Sequence, residues 1–257
     1  PITSVTFTCA ELGKQEVEVW AMDLAGNADF CVTYVLVQDN AGDCDNTKAT
    51  VAGALQTESG DGLEETTVEL TGSAIATQTK ITDQTGAYKF NKAVPMGSNM
   101  TITPANDNNP LNGVSTYDLV LISKHILGLE PLSSPYKMIC ADANRSGSIT
   151  TFDIVELRKL ILGIYTELPG NTSWRFIDKT YHFADPSNPF KSIFPENISV
   201  ANVQGNQLSQ DFYALKVGDV NGSAVANSLT QAEDRNGAAL LFDVDDRKVK
   251  AGEVFTV

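Results

Sequence analysis

Asp142, Asn144, Ser146, Gly147, Thr150 and Asp153 occupy positions 1, 3, 5, 6, 9 and 12 of a single twelve-residue run. That is the spacing of a calcium loop, with Asp in place of Glu at the last position. Calcium takes six to eight hard oxygens at roughly 2.3–2.6 Å, and a chain wrapped once around the ion supplies them from alternate, inward-facing positions. Gly147 permits the sharp turn, and the carbonyl of Ser148 at position 7 adds a backbone ligand. Asp153 closes the sphere from the first turn of a following helix, where its charge also suits the helix dipole.

A second run begins 35 residues upstream, at Asp107. Asp107, Asn109, Ser115 and Asp118 keep positions 1, 3, 9 and 12, with the carbonyl of Gly113 at position 7 and Asn112 at the turn. Leu111 at position 5 has no side-chain oxygen, so weaker calcium binding, or a water in that place, is expected here. Each run precedes apolar residues at helical spacing: Leu119, Ile122, Ile126 and Leu129 in one copy, Ile154, Leu157, Ile161 and Ile164 in the other. Aligning 112–129 with 147–164 gives seven identities in 18 positions, Asp118/Asp153 and Gly128/Gly163 among them, which marks a duplicated unit. Both helices are predicted to end at Leu-Gly, where glycine takes the left-handed cap conformation. For one loop alone the plain alternative is an Asx-rich turn capping a helix, and duplication in register favours metal. Asp219 and Asn221 open a similar run, but no carboxylate follows at position 12, so that stretch reads as a turn.

The elements that flank the pair read as β structure. Residues 1–38 alternate like three antiparallel strands, through Val5 and Phe7, then Val17 to Trp20, then Phe30 to Leu36, with Asp23 to Asn27 as a hairpin turn. Three strands do not close a sandwich, so further strands are expected from upstream or from another chain. Residues 39–47 read as a linker, 48–104 as a complete sandwich of about seven short strands, 105–225 as the loop-helix module with an extension, 226–237 as a second linker and 238–257 as the start of a further β domain. Trp174, Phe176, Tyr181, Phe183, Phe190 and Phe194 are expected to pack the proline-broken extension onto a neighbour. Both ends of the chain read as slices through domains of a larger parent.

Charge and composition exclude several classes. With 32 acidic against 18 basic residues, the formal net charge is −14, which disfavours phosphate contact and hence a nucleic-acid partner. No apolar run approaches the roughly 20 residues of a membrane-spanning helix. There is no GxSxG, HExxH, Walker or dinucleotide fingerprint, and His125 and His182 have no nucleophile motif beside them, so no enzymatic role is expected. The four cysteines, Cys9, Cys31, Cys44 and Cys140, lack zinc-site spacing. A Cys9–Cys31 bridge between neighbouring strands with a Cys44–Cys140 bridge between domains is one expectation, and four buried free thiols is the other. The even count in an acidic, turn-rich chain favours an oxidising, extracellular or cell-surface setting.

The paired units Asp107 to Leu129 and Asp142 to Ile164 resemble a dockerin, a calcium-binding module that docks onto cohesins in glycan-degrading assemblies. The stretch Lys216-Val-Gly-Asp-Val-Asn-Gly-Ser223 resembles the tail after such units in large type IX-secreted bacterial surface proteins. Residues 1–38 resemble the end of a hyalin-repeat domain, and 48–104, through Asp83 to Phe90, a carboxypeptidase-regulatory-like sandwich. The closing strands look like the start of a cohesin-like or related β domain. The resemblance implies a mainly β chain in which Ig-like sandwiches flank a small α module holding one or two calcium ions. It also implies a non-enzymatic segment of an adhesin or surface filament, partnered by other domains of its parent or by further copies in an oligomer or fibre. The alternative it implies is an adaptor that binds a cohesin-like domain to recruit a glycan-degrading enzyme. The usual cohesin-contacting pairs would fall at Thr116-Tyr117 and Thr151-Phe152, but both aromatic rings are expected to anchor the helices internally.

Overall fold

The computed structural model describes residues 4–40, 44 and 47–227. Among these residues it is mainly β, with three short α-helices. The expected linker 39–47 falls only partly within the described residues. The expected strands of 238–257 lie outside them, as does all but the start of 226–237.

Strands β1 (Gly13–Met22) and β2 (Ala28–Val37) form an antiparallel hairpin in continuous register, Trp20 opposite Phe30. Asp23 builds the turn: its Oδ1 accepts the N–H groups of Ala25 and Asn27, and its Oδ2 accepts from the Asn27 side chain. These donors hold its carboxyl below the ordinary range. The third strand expected around Val5 and Phe7 is not formed; residues 9–11 make a short 3-10 turn instead. Cys9 is bridged to Cys44, not to Cys31, which is exposed and free. Cys140 is also free but buried, and burial pushes its thiol far up, which leaves it unreactive. The strand register explains the changed pairing, because it places Cys31 opposite Val19 in mid-hairpin.

Residues 48–105 supply five strands rather than seven: β3 (Lys48–Gln56), β4 (Thr67–Gly72), β5 (Ile75–Ile81), β6 (Ala87–Pro95) and β7 (Met100–Ala105). The remaining three come from beyond the expected boundary at 104: β8 (Trp174–Asp178), β9 (Ile198–Val200) and β10 (Phe212–Lys216). One sheet runs β6-β3-β10-β8 and the other β5-β4-β7-β9. β10 lies parallel to β3 and antiparallel to β8, and β9 closes the second sheet against β7. The stretch expected to form a separate module thus completes both sheets of the sandwich.

Between the sheets, Val51, Leu55, Leu70, Phe90 and Ile102 pack with Trp174, Phe176, Phe212 and Ala214. The other face of β8 and β10 presents Ile177 and Leu215 to the helices α1 (Thr116–Ile126), α2 (Pro135–Ala141) and α3 (Thr151–Ile161), where Ile122, Ile139, Leu157 and Leu160 complete a second core. Strands covered on both faces read as apolar runs without alternation. α1 and α3 end as predicted: Gly128 and Gly163 take φ of 67° and 69°, and Leu129 and Ile164 N–H groups return to the carbonyls of Lys124 and Lys159. The short helix α2, unheralded in the sequence pattern, starts on Pro135 with Ser134 as its cap.

The approach of 207–210 to β3 is close. A Cβ on Gly53 would meet the Gln210 carbonyl oxygen at 2.0 Å. Gly53→Ala must therefore push β3 and that segment apart, and about 1–3 kcal/mol of stability is expected to be lost. Urea unfolding of the variant checks this.

Candidate metal centre

In the loop before α3, Asp142 and Asp153 are 1% and 0% exposed. Asp142 Oδ1 accepts Ser146 N–H at 2.8 Å, and its Oδ2 accepts Gly147 N–H at 2.9 Å, so the loop is wound around this carboxylate. Asn144 N–H donates to Asp153 Oδ1 at 3.2 Å, which brings positions 3 and 12 together. Asp153 Oδ2 accepts from Thr150 N–H and hydroxyl, a capping box that starts the helix. Capping accounts for one oxygen of Asp153 and leaves the other facing the loop. Asn144 Oδ1 accepts Ser146 N–H, and Ser146 Oγ donates to the Ser148 carbonyl, so the neutral oxygens expected as ligands converge on the same loop. Arg145 at position 4 takes a left-handed φ of 56°, and Gly147 one of 74°.

The upstream run is arranged differently. Asp118 is fully buried and caps α1 as Asp153 caps α3: its Oδ2 accepts Ser115 N–H at 2.9 Å and the Ser115 hydroxyl at 2.8 Å. Its Oδ1, however, accepts from Val220, 102 residues away, at 3.0 Å. Asp107 is exposed, and its Oδ1 accepts Ser173 N–H. Asn109 is exposed with φ of 49°, and Leu111 is exposed too. The Gly113 carbonyl accepts the Ser223 hydroxyl at 3.0 Å. The structure thus joins Gly113 and Asp118 to the 219–224 segment, leaves Ser115 as the cap bonded to Asp118, and turns Asp107 toward Ser173. The stretch read as a turn is where the sequence signal went unused: Asp219, Asn221 and Ser223 repeat Asp142, Asn144 and Ser146 at the same spacing.

The electrostatics of the acids suit a cation. Burial raises the carboxyls of Asp142 and Asp219, against the pull of the loop N–H groups, and the neighbouring Asp153 and Asp118 respectively push them the same way. Removing a carboxylate from water is costly unless a positive charge replaces the lost hydration. Among the described residues no Lys, Arg or His forms an ion pair with Asp118, Asp142, Asp153 or Asp219. Arg175 lies near enough to draw Asp142 down, but its guanidinium is paired with Glu196, which also takes Arg145 at 2.9 Å. Lys216 spends its ammonium on the Pro110 carbonyl and on Ser173, and burial lowers it to about 8. No three His, Cys, Asp or Glu side chains converge among the described residues. The acids come in pairs, and amide, hydroxyl and carbonyl oxygens would supply the rest of a sphere. An all-oxygen set with two carboxylates fits a hard cation such as calcium and fits zinc poorly.

Elsewhere the expected aromatic packing is present but divided. Trp174 and Phe176 enter the sandwich core, while Tyr136, Tyr181, Phe183, Phe194 and Tyr213 meet ring to ring beside the helices. His125 Nδ1 accepts Leu132 N–H. Tyr117 and Phe152 do not anchor the helices internally: they are 59% and 71% exposed. Each directly precedes a buried Asp, and at about 3.6 residues per turn it projects about 100° away from that side chain, toward solvent. Compared with known proteins, the chain matches no family model, no curated protein and no solved structure.

Proposed function

We propose that this chain is a non-enzymatic, calcium-stabilised structural segment of a large extracellular adhesin or surface filament, with the resemblance to dockerin-bearing surface proteins supplying its setting. The observation that carries the reading is the loop from Asp142 to Asp153, where two buried carboxylates, without ion-pair partners among the described residues, face one turn of oxygen-bearing chain. In this reading calcium, when bound, supplies the missing positive charge. The carboxylates of Asp142 and Asp153, the side-chain oxygens of Asn144 and Ser146 and the carbonyl of Ser148 hold it, with Thr150 reaching it directly or through water. The loop these residues close leads into α3, whose Leu157 and Leu160 share a core with Ile177 of β8 and Leu215 of β10, so an ion there would brace the helix layer against a load carried along the β units. Single-molecule stretching tests the role: the unit should unfold at higher force in calcium than in chelator, and equal forces would remove the mechanical reading.

A second reading is favoured by the helix surfaces. Tyr117, Val120, Leu127 and Leu129 on one unit, and Phe152, Val155, Leu162 and Ile164 on the other, are exposed at matching positions of the duplication. A repeated apolar face of this kind suits docking, and the dockerin resemblance names a cohesin-like domain as the partner. Submicromolar, calcium-dependent capture by a cohesin, lost in the double variant Tyr117→Ser and Phe152→Ser, would establish the adaptor and defeat the stalk.

A further inference from the structure

The segment after β10 copies the first half of the 142–153 loop, and the segment before α1 copies the second half. Asp219 Oδ1 accepts the N–H of Ser223, four residues on, and its Oδ2 that of Ala224, five residues on. Asp142 receives Ser146 and Gly147 at the same two separations, one on each oxygen. Ser223 donates to the Gly113 carbonyl as Ser146 donates to that of Ser148. The fourth residue of each turn, Gly222 and Arg145, has positive φ, 79° and 56°. Asp118 receives the N–H of Val220, one residue after Asp219, and Asp153 that of Asn144, two residues after Asp142, so in both places the closing acid bonds the opening turn. Where a continuous loop would run on through position 6, the two segments are joined by Asn112, whose side chain accepts Val225 N–H and donates to the Val225 carbonyl. Gly113 abuts Ala224 so closely that a Cβ would lie 2.5 Å from its nitrogen.

Burial and charge supply an independent observation. Asp118 is 0% and Asp219 5% exposed, and neither has an ion-pair partner among the described residues. Lys216, which interacts electrostatically with Asp219, is held by Pro110 and Ser173. Two buried carboxylates in electrostatic contact, with no positive partner, call for a cation from solution. A cleft of about 370 Å³ lined by Asp219, Asn221 and Gly222 opens beside Asp219 and offers a path for it.

We propose that Asp118 and Asp219, with Asn221, Ser223 and the Gly113 carbonyl, form a second hard-cation site assembled from two distant segments of the chain, and that Asp107 and Asn109 stand outside it. Calcium is its ligand on the same oxygen chemistry as the 142–153 loop, and this identification rests on the reading of that loop. Bound there, the ion clasps the end of β10 to the start of α1. It thereby ties the last strand of the sandwich to the helix layer.

The test is calcium stoichiometry on the metal-stripped full chain by isothermal titration, with far-UV circular dichroism to confirm folding. The wild type should bind two ions. Asp219→Asn, which keeps the shape of the side chain, should lose one of them or weaken it at least tenfold. Asp142→Asn should lose the other, and Asp107→Asn should retain both. Loss of an ion in Asp107→Asn with both kept in Asp219→Asn would overturn the proposal, as would a single ion sensitive only to Asp142→Asn. A single ion sensitive only to Asp219→Asn would instead sustain this site and remove the 142–153 loop. No binding by the wild type removes both.

Discussion

Restoring calcium to the metal-stripped protein is expected to raise its thermal midpoint by about 5–10 °C for each site loaded. An ion that binds only the folded state stabilises it by about 2.7 kcal/mol at 100 times its dissociation constant. For a unit of roughly 150–250 residues, each kcal/mol moves the midpoint by about 2–4 °C. The gain should be large because the charges it neutralises are buried: Asp142, Asp153, Asp118 and Asp219 are each at most 5% exposed. Magnesium at the same concentration should do less, since it demands near-octahedral geometry and gives up water reluctantly. The shift should shrink in Asp142→Asn. Midpoints equal within about 1 °C with and without calcium would contradict the metal reading, whatever the stretching experiment shows.

Phe212→Ala is expected to cost about 3–5 kcal/mol, the range for emptying a large aromatic site in a packed core. Phe212 is fully buried, paired with Leu55 across the parallel contact with β3 and with Asp178 of β8. Its neighbours in sequence, Tyr213 and Leu215, face the helices. The cavity therefore weakens a strand that both cores share, and the sheets and helices should lose structure in one transition at lower urea. Two separated transitions, with the helices surviving the sandwich, would show that the expected boundary at 104 is a real one after all.

That boundary shows where the sequence stops being readable. The helices and their caps were legible because everything that makes them is local: apolar residues three and four apart, Asp at the third helical position, glycine after the last turn. The hairpin at Asp23 was legible for the same reason. The closing strands were not. β8 and β10 are five residues long, covered on both faces and set among turns and prolines, so they show no alternation, and their partners lie far away. Asp211, for example, accepts the N–H of Ala54 across a separation of 157 residues. No window of local periodicity spans that distance, so alternation and turn signals over 48–104 read as a sandwich complete in itself.

The candidate site follows the same division. The 142–153 loop was read from spacing, and the structure brings its acids together because one turn of chain is enough to do so. Register with the second copy starts the first loop at Asp107, whereas Asp118 bonds Val220 and lies within electrostatic reach of Asp219. The missing clue was a carboxylate that precedes the loop's beginning in the chain. A search for position 12 downstream of Asp219 finds nothing, whereas the partner stands upstream of it, in α1. The cysteines fail to be read for a related reason, since pairing depends on which strands meet and the register leaves Cys31 facing Val19.

The most direct measurement is anomalous diffraction at long wavelength from crystals of the chain grown in calcium without chelator. The expected result is a peak inside the loop, at roughly 2.3–2.6 Å from oxygens of Asp142, Asn144, Ser148 and Asp153. A well-ordered loop with no peak there, its carboxylates bonded only to their own N–H groups, would contradict the central claim.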